Sequence, residues 1–205
     1  MQFQQHAQIT GFLMPSRSLV TWRIDAARAL DEIEGAHRAV GGTGRGRRFA
    51  TQQINQAYAV LLSSQFQWFC RDLHSEAVDE LAGAITIPMI RHVFRTQCVA
   101  GRKLDFGNPN PGNIGSDFGR FTMDFWPLVM NSDSRNPRRR ASLEALNRWR
   151  NAIAHQDFKT VLTQGISELG LREVRQWRTA CDAFAHEFDR VVAAHVDTIL
   201  SRPSK

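Results

Sequence analysis

From Ser16 onward, apolar residues return at every third or fourth position: Leu19, Trp22, Ala26, Leu30 and Ile33. That spacing puts them on one stripe of an α-helix. The stripe stops at Gly41-Gly42-Thr43-Gly44-Arg45-Gly46, a basic glycine-rich stretch that reads as a linker. It is not a phosphate loop, because it lacks a Gly-Lys-Ser/Thr ending and no strand pattern precedes it. A second stripe runs from about Thr51 to Ala82 through Ile54, Tyr58, Leu61, Leu62, Gln65, Phe66, Phe69, Leu73 and Val78. Its length suits a helix that spans a whole bundle. Pro88 to Val99 predicts a shorter helix, with Met89, Ile90, Val93 and Phe94 in the core and Arg91, His92 and Arg95 outward. After a turn-rich loop over 101–112, Asn113 or Ser116 is placed to cap a helix that turns Phe118, Phe121, Phe125, Leu128 and Val129 inward. Another helix starts near Pro137 or Arg138 and ends soon after His155. A last one covers Leu171 to Leu200, with Val174, Trp177, Cys181, Phe184, Phe188, Val191, Val192, Val196 and Leu200 on one face. No stretch alternates as a strand would. The expected fold class is all-α.

Composition narrows this without changing it. The 205 residues, 42% hydrophobic and 22% charged, suit one soluble domain with a substantial core. Met1 to Gly11 has no basic start followed by an apolar run, so no secretory signal is expected. No apolar run approaches membrane-spanning length. The expected location is cytoplasmic, without membrane association. Cys70, Cys98 and Cys181 lie far apart inside apolar helical patterns and read as reduced thiols. No spacing suggests zinc, and neither a metal nor a cofactor is expected.

The net charge of +6 alters the picture more, because it is carried mostly by arginine. Clusters occur at Arg45, Arg47 and Arg48, at Arg102 and Lys103, and at Arg135, Arg138, Arg139 and Arg140. Guanidinium groups match phosphate geometry, so a polyanionic partner is expected; a solvated basic surface is the alternative for each cluster.

The candidate chemistry lies in Leu146-Asn147-Arg148-Trp149-Arg150-Asn151-Ala152-Ile153-Ala154-His155. With about 100° per residue and Ile153 as the reference, Leu146 and Trp149 fall on the core side. Asn151 and His155 are neighbours on the opposite side, with Glu144, Asn147 and Arg148. Arg150 sits at the boundary, about 140° from His155 on an ideal helix. Outward Asn and His residues need something to meet. A second copy packing its own motif helix across a two-fold axis, with Ala152 and Ala154 permitting close approach, would complete one composite site. The alternative is a solvent-exposed histidine near a helix end, where a cation gains from the helix dipole.

The stretch Arg150-Asn151-Ala152-Ile153-Ala154-His155 resembles the signature of the HEPN superfamily: Arg, a polar residue, a short gap and His. Ala59-Val60-Leu61-Leu62-Ser63-Ser64 leading into Phe69-Cys70-Arg71-Asp72-Leu73, and Phe106-Gly107-Asn108-Pro109-Asn110-Pro111-Gly112-Asn113-Ile114, are similar to its RiboL-PSP-HEPN branch. The likeness covers roughly residues 50–200. Residues 1–49 then form an N-terminal extension, one helix and the basic loop, packed on or leading into a domain over 50–205. The resemblance implies an up-and-down bundle of about five to six helices that dimerises. It also implies metal-independent endoribonuclease activity, in toxins or antiviral effectors. Arg150, Asn151 and His155 would be catalytic. Arg138, Arg139, Arg140, Asn147 and Arg148 would hold RNA. An antitoxin or regulatory subunit is a further implied partner. One toxin subgroup has a modified Tyr two residues after the His; here that position is Asp157, and Tyr58 is the only tyrosine. Two other classes stay open: a non-catalytic RNA- or nucleotide-binding module, and a structural dimerisation partner of an antitoxin-like subunit.

Overall fold

The computed structural model describes residues 14–41, 47–162 and 168–201, the side chains at 47–49, 160 and 162 excepted. It is all-α, with no strand among the described residues and bundle-like packing. The helices are α1 (Arg17–Thr21), a π-helical turn (Trp22–Ala26), α2 (Ala27–Val40), α3 (Arg47–Gly83), α4 (Pro88–Val99), α5 (Lys103–Phe106), α6 (Pro111–Phe118), a 3-10 turn (Gly119–Phe121), α7 (Phe125–Ser132), α8 (Asn136–His155), α9 (Lys159–Leu162) and α10 (Leu171–Leu200). The 37-residue α3 and the 30-residue α10 pack against each other, and both pack against α8. Of the expected linker, only Gly41 lies within the described residues.

The first helix is held by its neighbours rather than set apart. Ser16 caps α1 by accepting from the Leu19 N–H at 3.0 Å. Glu76 on α3 accepts from the N–H groups of Arg17 and Ser18 at 3.0 and 2.8 Å, and from the Ser18 hydroxyl. A carboxylate thus meets the exposed N–H groups at the positive end of a helix dipole. Leu19, Trp22, Ala26 and Leu30 join the same core as Phe66, Phe69 and Phe188. These four residues of the N-terminal segment therefore share the core of the bundle. Tyr58 is fully buried beside Glu34, to whose carboxylate it donates at 3.2 Å. Arg175 and Arg38 also bond Glu34; Arg175 above all holds its pKa down to about 2, against the opposing effect of burial.

Three expectations are corrected. The helix expected to run on from Asn113 is two helices: α6 starts earlier, at Pro111 behind an Asn110 cap, and Thr122 in the left-handed region (φ 64°) separates it from α7. The bend lets Phe118 stack on Phe125 at 4.5 Å, while Leu128 remains exposed. On α4, only Phe94, Cys98 and Val99 reach the core. Met89, Ile90 and Val93 are exposed, because this short helix touches α3 along a narrow stripe. Arg102 is buried rather than part of a basic surface. Cys70, Cys98 and Cys181 are buried free thiols, and no described helix is long and apolar enough to cross a membrane.

Candidate functional site

The motif occupies the last turns of α8, which buries Leu143, Leu146, Trp149 and Ala152. Its end is set by backbone geometry. Gln156 adopts the left-handed conformation (φ 54°), its N–H reaches back to Ile153 O, and the Asp157 N–H bonds Ala152 O at 3.0 Å. This is the paired-bond helix stop usually built on glycine. Phe158 then packs on Trp149 with ring centroids 6.3 Å apart, turning the chain back onto the bundle. His155 is therefore the last residue of α8 and projects from its rim.

Arg148, Asn151, Ala152, His155 and Asp157 line one open depression of about 390 Å³. The spacing three, four and seven from Arg148 explains why they share a face. Arg148, Asn151 and His155 are exposed, and neither Arg148 nor His155 has a side-chain partner among the described residues. Arg150 does not line the depression. It is half-buried at its edge and donates from Nη1 to Asn151 Oδ1 at 3.3 Å. Asn151 Oδ1 also accepts from Asn108 Nδ2 at 2.9 Å. With its oxygen bonded twice, the Asn151 amide leaves its NH2 group as the donor for anything bound there.

Asn108 is the site residue that the sequence reading missed. The segment Asn108–Asn113 lies along α8: Asn147 donates to Pro109 O at 3.1 Å, and Asn113 to Asn108 O at 2.8 Å. Asn110 donates to Asn108 Oδ1 at 2.9 Å, and Trp126 Nε1 to Pro111 O at 2.6 Å. A Cβ at Gly107 would come within 2.7 Å of Asn113 Nδ2 and 3.2 Å of Lys103 O, so a side chain there would press on the Asn113 amide that bonds Asn108 O. The signal was present as three asparagines in six residues, each able to donate and accept at once, but it pointed equally to a turn. The same loop corrects Asn147. It is buried, not outward, and its second bond goes to Leu143 O at 2.8 Å. A helical wheel cannot show that another segment covers that side. Ala152 is likewise buried in its own core, leaving Ala154 as the exposed small residue.

The basic segment at the other end of α8 is mostly engaged. Arg135 and Arg139 both bind Asp133, at 2.7 and 2.9 Å, and the Arg135 bonds above all hold the Asp133 carboxyl well below the usual range. Arg139 also bonds Asn136 Oδ1 at 2.7 Å. Arg140 lies 4.9 Å over the Trp126 ring and pairs with Glu144 at 3.3 Å. Arg138 is exposed and has no side-chain partner among the described residues. On a helix rising about 1.5 Å per residue, Arg139 lies about 24 Å from His155. Arg45 falls outside the described residues, as do the side chains of Arg47 and Arg48. Among the described residues no group of three or more His, Cys, Asp or Glu side chains could hold a metal ion.

Compared with known protein families, curated proteins and solved structures, the chain matches none.

Proposed function

We propose that this protein is a metal-independent endoribonuclease of the HEPN kind, with its site at the end of α8. The observation that carries the reading is the single exposed face on which Arg148, Asn151 and His155 surround an open depression while Arg150 bonds Asn151. Cleaving RNA without a metal needs a cation on the phosphate and a group that exchanges protons near neutral pH. Arg150 and Arg148 supply the first, and His155 the second. His155 takes the proton of the 2′-hydroxyl as that oxygen attacks phosphorus, or gives one to the departing 5′-oxygen. The guanidinium and the Asn151 NH2 stabilise the charge that builds on the phosphate oxygens. The product is a 2′,3′-cyclic phosphate, and DNA, which lacks the nucleophile, is left intact. A toxin or antiviral effector is the biological setting that the resemblance favours.

A second copy completes the site in this reading. Among the described residues none bonds the His155 ring, and a two-fold partner would bring a second Arg150, Asn151 and His155 to the same cleft. The test uses RNA and DNA oligonucleotides of one sequence in excess chelator, with wild type, Arg150→Ala and His155→Ala. Cleavage of RNA alone, lost in both variants, supports the reading. Undiminished cleavage by either variant, or an absolute need for metal, overturns it. Mixing the two variants tests the dimer: activity regained in the mixture requires Arg150 of one copy and His155 of another in one site.

That His155 has no side-chain partner among the described residues also favours a second reading, an RNA- or nucleotide-binding module without catalysis. Tight, salt-dependent RNA binding with no cut in any substrate would select it.

A further inference from the structure

Phe106 is 87% exposed at the end of α5, two residues before the Asn108 that bonds Asn151. Leaving a phenylalanine in water forgoes the favourable burial available to it. A free loop tip would make that unremarkable, but Phe106 is firmly mounted. Both oxygens of buried Asp117 cap α5, accepting from the N–H groups of Lys103 and Leu104 at 2.9 and 2.8 Å. Gln67 of α3 donates to Leu104 O at 2.6 Å, and the Gly107 N–H closes onto Lys103 O at 2.8 Å. Beyond the ring, the Asn108 and Asn147 bonds fasten the chain to α8. The Cα of Phe106 lies within about 7 Å of the Cα of Asn108, the reach of two residues. Lys103, three residues earlier and exposed, shares its side of the turn.

An exposed aromatic ring on a fastened turn, two residues from the Asn108 that bonds Asn151 of the open depression, is what a strand with unpaired bases needs near the reacting phosphate. We propose that Phe106 is the stacking platform for one unpaired base of the RNA whose phosphate lies against Arg148, Asn151 and His155. The substrate class is then single-stranded or looped RNA, since bases inside a duplex stack on one another and offer no free face. This rests on the reading of the site as an RNA site.

The test measures binding of a fluorescein-labelled ten-nucleotide oligoadenylate, and of a duplex of the same length, by the full chain at several salt concentrations. Phe106→Ala is expected to weaken single-strand binding about tenfold, the usual loss for one stacked base. Phe106→Trp, which keeps a ring, should stay within about twofold of wild type on the same grounds. The slope of log affinity against log salt should not change in either variant, because no phosphate contact is removed. Duplex binding should be the same in all three proteins. Wild-type affinity in Phe106→Ala, with wild type binding the strand, overturns the inference and leaves the RNA reading standing. So does a changed salt slope, or an altered oligomeric state on sedimentation, which would make Phe106 a contact between copies. Absence of RNA binding and cleavage by wild type overturns both.

Discussion

His74, Arg102 and Asp117 form one cluster of this chain, and His155, Arg148 and Asp157 form another from the same three residue types. In the first, every member is enclosed. The His74 ring bonds Arg102 through Nδ1 at 3.3 Å and Asp117 O through Nε2 at 3.0 Å. Because a guanidinium only donates, Nδ1 accepts and the ring proton sits on Nε2. Phe118 meets the ring edge-on at 5.4 Å, and burial, with Arg102 adding to it, lowers the His74 pKa to about 4. Arg102 reaches on to Arg71 O, Ser75 and Asp105. In the second cluster, among the described residues, His155 has no side-chain partner, and the Asp157 carboxylate accepts only from the Lys159 N–H, at 3.2 Å. The difference lies in closure, not in composition. The two are also connected: Asp117 caps α5, α5 leads through Gly107 to Asn108, and Asn108 holds Asn151. A finished polar core positions an unfinished polar surface.

Exchanging the roles of the two histidines gives the largest expected contrast. His155→Ala should lower RNA cleavage about a thousandfold, within the usual range for a proton-transfer group, with an unchanged melting temperature. His74→Ala should do the opposite, costing about 3 kcal/mol through a cavity and an unpaired Arg102, as urea unfolding would show. Equal activity losses without destabilisation would break the comparison.

The pH dependence of stability comes next. An unfolded histidine takes up its proton near pH 6.5, and folded His74 only near 4. Between those values the unfolded chain binds more protons, so stability is lost as pH falls through that window and levels off below it. The loss attributable to His74 is about 3 kcal/mol. Urea titrations at pH 7 and pH 4 should show this, and His74→Phe should flatten the difference.

Asn108→Ala probes the connection. Stability should fall by about 1 kcal/mol, the net value of a typical hydrogen bond. Cleavage should fall about tenfold as Asn151 loses its orientation, measured as kcat with KM little altered. Arg138→Ala is the smallest change. An unpaired, exposed arginine contributes little to stability, and its loss should lower the salt slope of RNA binding by about one if it meets a phosphate.

The sequence made much of the scaffold readable. Pro88 and the apolar stripe of Leu171 to Leu200 placed α4 and α10 with the bounds the structure gives. Asn151 and His155 could be assigned outward from angle alone. What stayed hidden is tertiary. Thr122 bends the chain where Phe118, Phe121 and Phe125 still keep helical spacing, so periodicity cannot register the break. Asn147 and Asn108 acquire their roles only when one segment lies on another. Arg135, Arg139 and Arg140 have the spacing of a phosphate cluster in sequence, which does not reveal that Asp133, Glu144 and Trp126 engage them.

Gln156 bears on how the site could be observed in solution. A glutamine held at positive φ is strained by about 1 kcal/mol relative to glycine, and the Ala152 and Ile153 carbonyls hold it there. Its amide proton and that of Asp157 are thus the last latch of α8. Their hydrogen-exchange rates report, in one measurement and without any substrate, how often the end that carries His155 comes undone. Slower exchange of these two amides on adding RNA or raising the protein concentration would tell which of the two seals it.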